Sequence, residues 1–478
     1  MKSKTILLLF LYSFFYTGNA QTSTLELKAD SLFTSGFDLY KKRDFKNSWE
    51  AYQQYLQIRP TDQNGLYNRG ICSYAMLDYK DAIVDYNKSI EYGRRQYDVY
   101  YNRGICLYML GNYQQSLPDF DTAISLKADG LSFIYKGAAL HYLKKYKEAE
   151  SNLSTGILIM PNCEQAYYFR CMARYNLGNF KGSMDDCLEA LKLKKDYDVL
   201  FWQGMNNIAL NNYPAGIADY DTVLKNKPND PLAFYNRGIA YYELKAYQKA
   251  LADENLSIHF NPGNADAYYM RAICYFELKD YKTAENDFNS SATLGNQDSK
   301  LYCWRGANFY QMGNFDKAKE NLQKALNADP NSTSASYFLI LTLLKVKDYA
   351  NCISQCNTYL TKYKSPLILC CRGSAKSESG DFTNAVTDLN NCLISQPDFT
   401  PAISALGRNL FLENKYDDAL PYFDKAIQLK SDDGQVWFYR AQTYQAQKQY
   451  AKACVNFKKS YELKYQEALQ ELKKMGCR

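Results

Sequence analysis

Histidine, the side chain best placed to move protons near neutral pH, occurs only at His141 and His259 in 478 residues. Neither has a serine, cysteine or acidic partner at a spacing used in nucleophilic or metal-assisted catalysis. The fourteen cysteines offer more. Cys352, Cys356, Cys370, Cys371 and Cys392 form the densest group. An i,i+4 pair of thiols facing a second pair is able to hold zinc, but the spacing follows no common zinc pattern and no histidine completes it. Metal, a disulfide within the group, or plain packing are the three readings, and packing fits best. Cys72, Cys106 and Cys274 recur at one place of a repeat, where cysteine acts as a small hydrophobe. No glycine-rich phosphate loop follows a strand, and carboxylates are scattered without a paired motif. No enzyme activity, no cofactor and no metal are expected.

A regular series of opposite charges is present instead. Arginine stands at Arg69, Arg103, Arg170, Arg237, Arg271, Arg305, Arg372 and Arg440. Sixteen residues after six of these come Asp85, Asp119, Asp186, Asp253, Asp287 and Asp388. Asn321 and Asn456 follow the other two, and of the units without the arginine only one carries the aspartate, Asp219. The charges travel together. They read as structural ion pairs between helices, since the guanidinium fork suits a semi-buried carboxylate. The alternative is a row of arginines capturing anionic ligands. The spacing alone permits pairing within a unit or between neighbours.

What positions these residues is a repeat. Each arginine precedes a small residue, and the full series of that place is Gly36, Gly70, Gly104, Gly137, Cys171, Gly204, Gly238, Ala272, Gly306, Ile340, Gly373, Gly407 and Ala441, at gaps of 33 or 34. Twelve residues on comes a second small residue, such as Ala82, Ala250 or Ala419. Four beyond that comes a large one, such as Tyr86, Phe120 or Phe423, and three further another small one, such as Ala123 or Ala426. Steps of 4 and 3 place these on one face of a helix. Pro60, Pro161, Pro228, Pro262, Pro330 and Pro397 close units. Gly111, Gly178 and Gly313 mark a tight turn between two helices of a unit, where a left-handed residue is needed. Pro118 and Pro421 fall inside second helices and are expected to kink them.

This small–aromatic–small–proline pattern resembles the tetratricopeptide repeat family over about nine-tenths of the chain. The resemblance implies an all-α, right-handed superhelical solenoid of about thirteen stacked helix-turn-helix repeats with a C-terminal capping helix, Tyr465 to Met475. It also implies that first helices line a concave groove. Places facing that groove hold Tyr67, Asn68, Tyr74, Tyr101, Asn102, Tyr108, Tyr168, Tyr175, Tyr235, Asn236, Tyr242, Tyr269 and Phe276, and His141 maps there too. Tyrosine joins an apolar face to a polar tip, and asparagine both donates and accepts, so these are the partner-groove candidates. The competing reading is that the rings fill gaps between helices. The lining fades after about residue 340, where Ser374, Ser377, Ser404, Gln442 and Gln445 replace it. The lysine-asparagine-arginine set by which some relatives hold C-terminal carboxylates is incomplete here.

The remaining features set class and compartment. Hydrophobic residues make up 46% and aromatics 15%, which excludes disorder. The net charge of +6 is spread through mixed-sign sequence and forms no basic stripe for nucleic acid. Lys2 and Lys4, the apolar run Ile6 to Tyr16 and Gly18-Asn19-Ala20 read as a secretory signal over 1–20, with a membrane anchor as the alternative. The organisation is then signal peptide 1–20, a short lead 21–28, repeats 29–464 and a capping helix 465–478. The mature chain is expected to have no integral membrane segment and to be periplasmic, outer-envelope associated or secreted. The function that follows is an exported scaffold binding a protein or peptide in its groove, in a cell-envelope assembly. A chaperone-like holder of unfolded exported chains, or an accessory subunit docking a catalytic partner, are the alternatives.

Overall fold

The computed structural model describes residues 24–429 and 432–477. The signal-like segment 1–20 lies outside them. The described residues form 27 α-helices and no strand. They fall into two compact units, one ending at Leu244 and one beginning at Lys245.

The first unit holds α1 (24–41), α2 (Phe45–Ile58), α3 (Gln63–Ala75), α4 (Tyr79–Glu91), α5 (Tyr97–Met109), α6 (Tyr113–Leu126), α7 (Gly130–Tyr142), α8 (Tyr146–Ile159), α9 (Glu164–Asn176), α10 (Phe180–Leu193), α11 (Tyr197–Ala209), α12 (Tyr213–Asn226) and α13 (Pro231–Glu243). The second holds α14 (Tyr247–Phe260), α15 (Ala265–Glu277), α16 (Tyr281–Thr293), α17 (Ser299–Gln311), α18 (Phe315–Ala328), α19 (Thr333–Lys345), α20 (Tyr349–Lys362), α21 (Pro366–Glu378), α22 (Phe382–Ser395), α23 (Thr400–Leu412), α24 (Tyr416–Gln428), α25 (Gly434–Ala446), α26 (Tyr450–Glu462) and α27 (Glu467–Lys474). Odd-numbered helices are the first of each repeat and even-numbered ones the second. The segment 24–28, read as lead, is helical and belongs to α1. Helices α6 and α24 run unbroken through Pro118 and Pro421.

Each helix pair is closed by one left-handed residue. Gly111, Gly178 and Gly313 take φ of 76°, 76° and 75°. Leu77, Lys144 and Asn211 adopt the same conformation at 65°, 60° and 60° without glycine's freedom. In each case the following amide turns back onto the first helix, as Asp78 N–H does to the Ser73 carbonyl at 2.8 Å. Aspartates start many of the helices. Asp62 accepts from the amides of Asn64 and Gly65 at 2.7 and 2.8 Å.

The small place and the large place sixteen residues later meet where the two helices cross. A Cβ on Gly70 would lie 2.8 Å from the Tyr86 ring, on Gly104 2.9 Å from Phe120, and on Gly407 2.9 Å from Phe423. A Cβ there would have to displace the ring, so glycine suits these crossings, while Ala272 and Ala441 face Phe288 and Phe457 at the same place in other repeats. Within each unit, consecutive first helices also touch, as α5 with α7, α7 with α9, α19 with α21 and α21 with α23. Second helices make no comparable contact within either unit. Each stack therefore bends with its first helices on the inner side.

Candidate partner-binding face

The groove tyrosines divide into two rows, and both rows pack. Three residues before the small place, rings lie over the large residue of the second helix: Tyr67 on Tyr86 at 5.8 Å and Tyr269 on Phe288 at 6.4 Å. Tyr67 is buried, and the Arg94 guanidinium covers its ring at 3.8 Å. Tyr101 sits between Tyr97 and Tyr135, at 6.0 and 6.2 Å. Tyr168 lies against Phe169 at 5.3 Å, and Tyr235 and Tyr242 are half-buried on α13.

Four residues after the small place, rings meet the start of their own second helix, and Tyr108, Tyr175 and Phe276 also meet the next repeat. Tyr74 meets Tyr79 at 5.8 Å. Tyr108 meets Tyr113 at 5.4 Å and Tyr135 at 5.6 Å. Tyr175 meets Phe180 and Trp202 at 5.2 and 5.4 Å, and Phe276 meets Tyr281 and Trp304 at 5.4 and 5.3 Å. Most of these contacts are edge-on, the arrangement favoured by ring quadrupoles. Tyr135, Trp202 and Trp304 escaped the sequence reading. They occupy the place that holds Asn68, Asn102 and Asn236 elsewhere, and a change from amide to ring at one fixed place was the available signal. Asn102 donates to the Tyr67 hydroxyl at 3.0 Å, and Asn236 donates to its own helix at the Leu232 carbonyl at 2.8 Å. Burial raises the pKa of the Tyr52 hydroxyl, and a hydrogen bond with Asn68 opposes the shift.

A cavity of about 320 Å³ opens between these rings on the inner face of the first unit. Tyr108 and Met109 of α5, Tyr135 of α7 and Tyr168 and Phe169 of α9 form its walls. Glu164, Gln165, Lys194, Asp196 and Asp198 form its rim. Lys194 lies 3.6 Å from Asp196, and Lys227 bonds Asp198. Burial raises the pKa of Glu164, opposed by the nearby Lys194. Burial also raises the pKa of the Tyr168 hydroxyl, opposed by a hydrogen bond with Trp202. The corresponding face of the second unit holds a cavity of about 250 Å³ with walls from Leu341, Leu344, Cys371 and Ser404. There Arg408 bonds Glu378 and lies 5.0 Å over Tyr439. An opening of about 580 Å³ beside α20 and α21 is larger, but the loop residues Tyr363, Lys364 and Ser365 shape it. It is a gap between repeats and not part of an inner face.

The arginines face the second helices. Arg103 grips Asp119 with Nε and Nη2 at 2.9 and 2.6 Å, Arg170 grips Asp186 at 3.0 and 2.7 Å, and Arg271 grips Asp287 at 2.7 Å through both. Arg372 and Asp388 pair at 2.8 and 2.6 Å, and Arg69 holds Asp85 by the same fork. The remaining nitrogen reaches the preceding repeat: Arg103 to Asn87 at 2.7 Å, Arg271 to Asn255 at 2.7 Å and Arg237 to Asp221 at 2.6 Å. Asp253 belongs to the second unit. The fork thus pairs within these repeats while its third nitrogen joins neighbours, whereas Arg305 turns its Nε and Nη2 to Glu285 of the preceding repeat at 3.0 and 2.7 Å.

His141 is buried on α7, with burial lowering its pKa and its Nδ1 unpartnered, so it does not line the groove. His259 is exposed beside Phe260. Cys352, Cys356, Cys370, Cys371 and Cys392 are buried free thiols. Among the described residues no group of three or more His, Cys, Asp or Glu is arranged to hold a metal. The disulfide lies elsewhere, joining Cys454 of α26 to Cys477 beyond α27. No helix among the described residues is long and apolar enough to cross a membrane.

Four family models, each described as a tetratricopeptide repeat, match residues 97–129, 203–264 with 404–454, 299–332, and 255–286. Among solved structures, the chain is similar to one from the APC/C hetero-tetramer Cut9–Hcn1, at 15% identity and a TM-score of 0.46, over 94% of this chain and 96% of that one. It is similar to PilF of Pseudomonas aeruginosa at 16% identity and a TM-score of 0.40, over 44% and 96% of the two chains. It is similar to MamA at 20% identity and a TM-score of 0.33, over 35% and 91%.

Proposed function

This chain belongs to the tetratricopeptide repeat family, and we propose that it is an exported scaffold holding an extended segment of one partner protein against the inner face of its first unit. A scaffold for protein–protein interaction is the function this repeat supports. One observation carries the finer reading: the cavity between Tyr108, Tyr135 and Tyr168, the place on that face where rings are not wholly consumed by packing. Aromatic walls with a charged rim match the anatomy of a site that buries an apolar side chain and orients the backbone around it. The N-terminal signal-like sequence supports export, and the Cys454–Cys477 disulfide agrees with an oxidising compartment. A cell-envelope assembly is the setting that combines these.

The test is site-specific photo-crosslinking in native envelope. A photoreactive residue at Gln165, on the cavity rim, should capture one partner at fixed stoichiometry. The same residue at Glu189, exposed on α10, should not. Tyr135→Ala combined with Tyr168→Ala should reduce capture about tenfold or more, the loss usual for aromatic anchors. A heterogeneous set of captured chains would favour a holder of unfolded proteins. Equal capture from both positions would sink the reading.

A further inference from the structure

Repeat five breaks the packing rule of the other repeats in one coordinated way. The small place carries glycine or alanine in all repeats but two, and a ring or leucine usually faces it sixteen residues later. In repeat five both places are cysteine, Cys171 on α9 and Cys187 on α10. Both are fully buried, and their sulfurs lie 2.7 Å apart without a bond between them. That is well inside the separation of two sulfurs merely in contact, and about 0.7 Å from the length of a disulfide. The other inverted repeat does not share this geometry, since Ile340 faces Cys356 there.

The surroundings suit a bonded pair. The Asn206 amide points at both sulfurs, at 3.9 Å from Cys171 and 3.7 Å from Cys187, and is anchored by Ser183 Oγ at 2.9 Å. Ser183 in turn donates to the Cys171 carbonyl at 2.8 Å. These are donors, and disulfide sulfurs accept from them as thiol sulfurs do. The two cysteines are separated by a single helical hairpin, so closing the link traps no long loop.

We infer that Cys171 and Cys187 form a disulfide that staples α9 to α10. The two thiols give up two protons and two electrons to a disulfide oxidant, which leaves as two thiols. One cysteine thiolate first exchanges with the oxidant, and the second displaces it from the mixed disulfide. Since both sulfurs are sealed in the folded hairpin, the exchange occurs while the hairpin is closing. The staple fixes the helix that carries Tyr168 and Phe169, one wall of the inner-face cavity.

The experiment uses the full chain folded with glutathione disulfide, then denatured in an alkylating agent without reductant and digested. Mass spectrometry should find Cys171 and Cys187 unalkylated and joined in one cross-linked peptide, and both alkylated after reduction. Alkylation of both before reduction overturns the inference, as does either cysteine joined to glutathione or to a third cysteine. A second readout removes the other disulfide by Cys454→Ser and Cys477→Ser. Reductant should then lower the melting temperature by about 5 °C, and should have no effect once Cys171→Ala and Cys187→Ala are added. A melting temperature indifferent to reductant before those two changes overturns it.

Discussion

Repeats three and six solve the same packing problem with and without arginine. In repeat three, the Arg103 fork satisfies the buried Asp119 and reaches back to Asn87. In repeat six, Gln203 occupies the arginine's place and its buried Oε1 finds no donor. Asp219, where Asp119 stands in repeat three, keeps one neutral donor, Asn207 Nδ2 at 2.7 Å. Burial raises its pKa to about 6, with the Asn207 bond opposing the shift. The aspartate is thus tolerated without its guanidinium, but its buried carboxyl takes up a proton already near pH 6. The charges are part of the framework, and one repeat bears the cost of lacking half of the pair.

The strongest way to break this comparison is to copy repeat six into repeat three. Arg103→Gln should destabilise the full chain by about 3 kcal/mol, because it strands a buried carboxylate; chemical denaturation at pH 7 measures it. A loss below ~1 kcal/mol would mean the pair is not a framework element. The reverse change, Gln203→Arg, should stabilise by about 1 kcal/mol at pH 7 once solvent screening of the partly exposed Asp219 is allowed for.

The pH dependence sharpens the same point. The folded state holds the Asp219 proton more tightly than the unfolded chain does, so its contribution to stability is fully present below about pH 4. It is lost as pH rises through the folded value of about 6. Asp219→Asn should flatten this part of the stability curve between those limits, whereas Asp119→Asn should destabilise. The smallest effect is at the turns. Gly111 closes repeat three at φ 76° and Asn211 closes repeat six at φ 60°. Asn211→Gly should gain a few tenths of a kcal/mol, since asparagine already tolerates this conformation, and thermal melts of the variant beside the unaltered chain would show it.

The repeat, the small place and the charge series were legible because the chain carries many copies of one solution. A residue type that recurs at a fixed place reports its environment thirteen times over. Ring direction was not legible in this way. Tyr108 and Tyr175 stand at groove-facing places, yet each is clamped by its own second helix and the next repeat, through partners such as Tyr135 and Trp202 that vary in type. Pairings that occur once leave no internal comparison, so Cys454–Cys477 went unread. Glu254 is the same case: it is buried without a partner at a place that holds Tyr86 or Phe120 elsewhere, and burial raises its pKa well above the ordinary value.

On α4, Asp85 faces the arginine of its own repeat while Asn87, two residues on, faces the arginine of the next. This second helix therefore carries one partner for the arginine of its own repeat and one for the arginine of the next. Where neighbouring repeats both carry the arginine, cutting out or duplicating a whole repeat leaves these bonds with partners, whereas inserting part of one strands an arginine. Over such stretches the chain can lengthen or shorten in whole-repeat steps without retuning these joins. The number of repeats, and with it the length of partner surface presented, is open to inherited change while the chemistry of each join is not.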